Sequence, residues 1–252
     1  MKITSLENFQ KFVGSFPVGE KWIFRGQSDS SWKLRPQAGR LKYSVKTKSS
    51  SQNGDSGDLD RFEAWRQSAK AVFHKLPRND FECLAFAQHY GLVTRLLDWT
   101  KDPLVALFFA VNNSGAKNSA DGIVFAHKPN YLIRHRKVKF TSPELAWHYS
   151  VLEPEVLNPR VFAQKGLFTY HNDPWADLKQ VMSSDVLRNV VISCSVKNRI
   201  REQLREAGYS KAKMFPDIET ISQKVNRETR FMAKKLQRLE EARFGIQWNV
   251  DE

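Results

Sequence analysis

Arg25 closes the short aromatic run Trp22-Ile23-Phe24 and is followed at once by Gly26. A guanidinium in such a place suits a two-point contact to phosphate, because its planar fork matches a pair of oxygens. Arg95 and Asp98 are set among leucines in Leu92-Val93-Thr94-Arg95-Leu96-Leu97-Asp98-Trp99-Thr100. Gln88 and His89 end the mostly apolar stretch that begins at Phe81, and Arg160 and Gln164 bracket Val161-Phe162-Ala163. Polar groups in apolar surroundings have to be paired or used. Either these residues converge on one cleft, or each serves the core separately. In the second case Arg95 and Asp98 form an internal ion pair that pins a strand to a helix. Gln88 and Gln164 then satisfy buried backbone groups, and His89 is a helix-end donor.

Several familiar chemistries are excluded. The chain has no GxxxxGK[ST] phosphate loop, no GxGxxG turn, no HExxH, no GxSxG elbow and no Cys/His cluster at metal spacing. No metal is therefore expected. The two cysteines, Cys83 and Cys194, lie in apolar runs and read as small buried hydrophobes of a reducing compartment. No run of about 18 apolar residues occurs, so a cytoplasmic protein without a membrane span is expected. With 40 Lys and Arg against 27 Asp and Glu, the formal charge is +13. Such a chain attracts polyanions, and nucleotide or nucleic acid would each meet that charge. Apolar residues make up 41% of the chain, with 17 Phe and 7 Trp, enough for a large core.

Pattern and punctuation predict the elements that must hold these groups. Thr4 or Ser5 caps a helix carrying Leu6, Phe9, Phe12 and Val13. Strands are predicted over 22–26, 95–99, 122–126, 161–169 and 190–196, the first ending at a Gly26 turn and the fourth interrupted by Gly166. A second extended piece runs from Trp32 to Pro36. Helices are predicted from Leu59 to a stop at Pro77, from Phe81 to a Gly91 cap, from Pro103 behind an Asp102 cap, and from Asn198 to Gly208. Residues 46–58 read as a polar surface loop. Strands and helices mix without regular βαβ alternation, which favours an α+β fold: a small central mixed sheet surrounded by helices. The chain divides into a domain over 1–226 and a charged helical tail over 227–252.

The motifs Phe24-Arg25-Gly26, His89 to Thr100, and Pro103 with Ala106 to Ala110 together resemble the FRG domain family. Arg160 to Phe168 and Phe215-Pro216-Asp217 are similar to its later blocks. The resemblance implies a bacterial or phage setting, with defence or toxin roles. The motifs also resemble ADP-ribosyltransferase-like folds, and that likeness implies NAD as the cofactor. Arg25 would then hold the diphosphate, with Gly26, His89, Thr94 and Arg95 around the nucleotide. Asp98 and Gln164 would stand at the reacting ribose, with Glu153 or Glu155 as outside candidates. An amide at Gln164 carries no negative charge to offset an oxocarbenium ion. A non-catalytic module that binds nucleotide or nucleic acid therefore stays open.

Overall fold

The computed structural model describes residues 2–43, 57–112, 119–130, 132–134, 149–154 and 159–216, together with 226, 229–232, 235, 238–239 and 241–243, which are helical. The fold is α+β. Among the described residues, one mixed sheet of 8 strands has the order β1-β8-β4-β2-β3-β7-β6-β5. The strands are β1 (Lys2–Ile3), β2 (Ile23–Gln27), β3 (Leu96–Thr100), β4 (Gly122–His127), β5 (Ile133–Arg134), β6 (Tyr149–Glu153), β7 (Gly166–His171) and β8 (Leu187–Ile192). The outer pairs β1–β8 and β5–β6 are parallel and the rest are antiparallel. The sheet is larger than the five strands the sequence predicts. The added strands are short or lack an unbroken apolar run. Among the described residues no helix is long and apolar enough to cross a membrane.

The helices are α1 (Leu6–Gly14), α2 (Asp58–Ala69), α3 (Asp80–His89), α4 (Pro103–Val111), α5 (Pro159–Ala163), α6 (Leu178–Val181), α7 (Lys197–Glu206) and α8 (Lys211–Met214). Their ends follow local chemistry. The Ser5 hydroxyl accepts from the Asn8 N–H at 3.1 Å, and Asp102 accepts from the Leu104 N–H at 2.9 Å, with Pro103 at the first helical position. At the end of α3, Gly91 takes φ +93°. The Gly91 N–H then reaches the Gln88 carbonyl at 3.0 Å and the Leu92 N–H the Ala87 carbonyl at 3.0 Å, a Schellman closure. α2 stops at Ala69, short of Pro77. Beyond it Phe73 packs its ring on Phe86 and Tyr90, at 5.2 Å from each centroid.

Register shows how the sheet is divided. β2 pairs with β4 along its whole length, and β3 pairs with β7 along its whole length. Between β2 and β3, Phe24 opposite Thr100 is the single register pair. The sheet is therefore two halves joined at a narrow seam. On one face each half carries its own helical cluster. Val105, Ala106, Phe108 and Ala110 of α4 cover Phe24, Val124 and Val190 on the first half. Phe81, Leu84 and Phe62 of α3 and α2 cover Leu96, Phe168 and Tyr170 on the second. The opposite face is a third cluster around Leu34, Trp99, Phe125 and Leu178.

Three predicted elements differ in the structure. The stretch predicted as one strand over 161–169 is the short helix α5 followed by β7, because Pro159 starts a helical turn. Lys165, at φ +46°, then reverses the chain. The last predicted strand ends at Ile192, after which Cys194–Val196 forms a 3-10 turn. Trp32 to Pro36 forms no strand. Part of 46–58, the Phe215-Pro216-Asp217 motif at Asp217, and most of the charged tail lie outside the described residues.

Two fully buried histidines make the fold acid-sensitive. His127 Nδ1 lies 2.8 Å from the Val186 carbonyl, and His171 Nε2 lies 2.9 Å from the Thr169 hydroxyl, which also accepts from Trp99 Nε1 at 3.0 Å. Burial lowers the His127 pKa to about 4, against the effect of the Val186 hydrogen bond. Burial, and then the charges of Arg25 and Arg95, lower His171 to about 3. Unfolded histidine titrates near 6.5, so below that pH the unfolded chain takes up protons that the folded chain refuses. The stability is fully present above pH 6.5 and is lost as pH falls toward 3. Each histidine should cost about 2 kcal/mol at pH 5 relative to pH 7. Urea midpoints at the two pH values should differ accordingly, and His127→Gln should reduce the difference; equal midpoints would overturn this.

Candidate functional site

The two helical clusters do not meet over the seam, and a cleft of about 380 Å³ opens between them. That is within the range of small-ligand sites. Gly26, Asp98 and Thr100 line its floor, α4 supplies Val105, Ala106 and Phe109, and α3 supplies Ala85, Gln88 and His89. Arg160, Val161 and Gln164 come from α5 and the turn after it.

Gly26 lies inside β2, not at a turn after it. A Cβ there would stand 1.8 Å from the Ala106 carbonyl oxygen and 2.7 Å from the Ala110 nitrogen. The glycine is needed because α4 crosses directly on the strand. Arg25, its neighbour, extends across the seam. Its Nη1 donates to the Asp98 main-chain carbonyl at 2.5 Å and lies 3.6 Å from the Asp98 carboxylate. The guanidinium therefore satisfies a carbonyl that the missing ladder would have used. Burial lowers the Arg25 pKa; the Asp98 carboxylate acts in the opposite sense, and the Arg40 charge adds to the lowering.

The Asp98 carboxylate is held from α3. Gln88 Nε2 donates to Asp98 Oδ1 at 2.8 Å, and the Thr94 hydroxyl donates to Gln88 Oε1. Asp98 is still exposed to the cleft. It is the one acidic side chain among the described residues lining the cleft. Gln164 ends α5, and its amide nitrogen donates to the Met214 carbonyl at 2.9 Å. Its own carbonyl accepts from the Thr100 hydroxyl at 2.6 Å, which fixes the cleft wall to β3. The Arg160 guanidinium lies 4.6 Å from the Phe215 ring centroid.

Arg25, Gly26, His89, Thr94, Asp98 and Gln164 are thus brought to one cleft, with Gln88 and Arg160 beside them. Arg95 is not. It is 2% exposed, and Nε and Nη2 bond both oxygens of Asp58 at 2.8 and 2.9 Å. The Arg95–Asp98 ion pair is therefore corrected to Arg95–Asp58. Charge and hydrogen bonding from Asp58 raise the Arg95 pKa despite burial. Asp58 escaped notice because it sits in a polar, glycine-rich stretch. Glu153 forms an ion pair with Lys101, and Glu155 lies outside the described residues. Trp22 is buried against Phe16, with ring centroids 4.4 Å apart.

Sequence reasoning missed Arg35, Gln37 and Arg40, which line the end of the cleft near Arg25. Their one signal was the pair of arginines flanking Pro36 and the small residues Ala38 and Gly39. Among the described residues, no group of three or more His, Cys, Asp or Glu is placed to hold a metal.

Comparison with known families finds a match over residues 20–119, to the model described as FRG domain. Residues 20–119 of the chain carry an FRG domain. No curated protein and no solved structure matches it. The matched FRG segment supplies β2, α3, β3 and α4, and so the floor and two walls of the cleft. Arg160, Val161, Gln164 and Phe168, which close the cleft, lie after residue 119. Strands β4 to β8 also follow that point and complete the same sheet.

Proposed function

We propose that the cleft binds NAD and cleaves its nicotinamide–ribose bond, transferring ADP-ribose to an acceptor or to water. One observation carries the reading: Arg25, Arg35, Arg40 and Arg160 line a cleft with Asp98 as its single described carboxylate. Guanidinium groups favour phosphate oxygens. A lone carboxylate, aimed by Gln88, suits a sugar that becomes positively charged as its bond breaks. In the reaction the C1′–N bond breaks with its electron pair going to the nicotinamide ring. The acceptor nucleophile bonds to C1′, and its proton passes to Asp98 or to solvent. Arg25 holds the diphosphate. Gln164, fixed by Met214, borders the ribose. Val105 and Phe109 on one side and Phe168 on the other give the flat ring apolar surroundings. In a bacterial cell this chemistry acts as a toxin or a phage-defence effector.

Incubation with NAD should release nicotinamide from the wild type. Arg25→Ala and Asp98→Asn should lower the rate, each by about 100-fold. Expression of the wild type, but not of Asp98→Asn, should slow bacterial growth. No nicotinamide from the wild type, with or without nucleic acid, would refute transfer. The +13 charge favours a second reading, a non-catalytic nucleotide or nucleic-acid module. It predicts nucleic-acid binding that weakens steeply with salt while NAD stays intact.

A further inference from the structure

Arg35 and Arg40 stand on a rigid platform. Leu34 and Ala38, between and beside them, are fully buried. The Leu34 N–H donates to Asp177 Oδ1 at 3.0 Å, and the Leu34 carbonyl accepts from the Leu178 N–H at 2.9 Å. The Ala38 N–H donates to the Thr94 carbonyl at 3.2 Å, which ties the platform to the start of β3. A Cβ on Gly39 would fall 1.6 Å from the Pro174 carbonyl oxygen, so this turn is pressed on the chain behind it. Two half-buried arginines are therefore presented in fixed places beside Arg25.

Among the described residues their charges are not balanced. Among the described residues neither Arg35 nor Arg40 has a carboxylate partner. Arg35 donates to the Trp175 carbonyl at 3.4 Å. Arg25 shares Asp98, and its buried Nε meets no hydrogen-bond partner among the described residues. Burial and then the Arg35 charge lower the Arg40 pKa, as burial and Arg40 lower that of Arg25, so Arg40 lies within range of repulsion from both Arg35 and Arg25. Among the described residues, three positive charges stand against one carboxylate. The deficit of about two charges calls for a compact dianion, because bringing like charges together is costly until a counter-charge arrives.

We infer that Arg25, Arg35 and Arg40 form a subsite for a doubly charged phosphate group, a diphosphate bridge or a terminal phosphate, in preference to the singly charged phosphodiesters of nucleic acid. This rests on the reading of the cleft as a nucleotide site, and it adds Arg35 and Arg40 to that site. It sets the substrate class by charge: free nucleotides and dinucleotides enter, and internal nucleic-acid phosphates do not.

The test is equilibrium binding of inorganic pyrophosphate, ADP-ribose, AMP and a ten-residue oligothymidylate to the full chain. Wild type, Arg35→Gln, Arg40→Gln and a surface control, Arg199→Gln, are compared. Pyrophosphate affinity should fall roughly 10-fold to 100-fold in each cleft variant and stay unchanged in the control. Oligothymidylate binding should not follow. ADP-ribose alone sharing the loss identifies a diphosphate bridge, and AMP sharing it identifies a terminal phosphate; either supports the subsite. Pyrophosphate affinity unchanged in both cleft variants, or oligothymidylate lost in step with it, overturns it. Thermal unfolding of each variant confirms that the loss is not one of folding. Arg40-dependent binding without nicotinamide release leaves the subsite standing and removes the transfer reading. Nicotinamide release with KM unmoved by Arg35→Gln and Arg40→Gln does the reverse.

Discussion

Asp58→Ala should lower the unfolding free energy by about 3–5 kcal/mol. The carboxylate is 1% exposed and bonds the Arg95 guanidinium through both oxygens. Its removal takes from a buried cation the carboxylate that bonds it at two points. The Tyr170 ring at 5.4 Å and two contacts at 3.5 Å, to the Tyr170 hydroxyl and the Asn172 carbonyl, also border Arg95, and none of these groups carries a negative charge. The pair also ties α2 to β3, so its loss should release the start of that helix. Replacing both partners by apolar residues, as in Asp58→Leu with Arg95→Met, should recover most of the loss, because the cost lies in the stranded charge. Urea unfolding of the two single variants and the double variant measures this. A single variant within about 1 kcal/mol of wild type would show that solvent reaches the pair. Neither residue lines the cleft, so an Asp58→Ala protein that still folds should keep its affinity for pyrophosphate.

Gly26→Ala should be nearly as damaging, at about 3 kcal/mol or more. The added methyl would meet the backbone of Ala106 and Ala110, not the flexible end of a side chain. The helix cannot yield locally. α4 is buried along most of its length, and its start is held by Asp102, which also pairs with Lys165 at 2.9 Å and accepts from the Tyr209 hydroxyl at 3.0 Å. Gly14→Ala is the matched control. Nothing lies within 4 Å of a Cβ at that position, so the change should be neutral or slightly stabilising. Equal thermal midpoints for the two variants would mean that α4 moves off β2 freely. If Gly26→Ala folds at low temperature, the shifted helix should also disturb the cleft floor and weaken nucleotide binding.

Much of the local structure was legible because it depends on short-range chemistry. Asp102-Pro103 starts α4, Gly91 ends α3, and Gly208, at φ +84°, ends α7. The apolar character of α4 placed it in the core. The boundary between α5 and β7 was not legible. Val161 and Phe162 suit a strand as well as a helix, and Phe162 proves to be 71% exposed. What settles it is the Thr100 hydroxyl on the Gln164 carbonyl and the reversal at Lys165, neither of which leaves a mark in the sequence.

The polar residues embedded in apolar runs were recognisable one by one, because burying charge or amide is costly and marks such residues as paired or functional. By itself the sequence determined which residues those are, where α3 ends and α4 begins, and that residues 20–119 carry an FRG domain. Only the tertiary structure decided their partners. Arg95 belongs to Asp58, which is 37 residues away, while Asp98 is shared by Gln88 and Arg25. Gly26 answers to a helix 80 residues further along, and not to a turn of its own. Arg35 and Arg40 joined the cleft only when their turn packed against Pro174 and Thr94. The reason is common to all of these. Charge pairing and close packing depend on distance in space, and residue spacing along the chain reports that distance only within a turn or two of helix or strand.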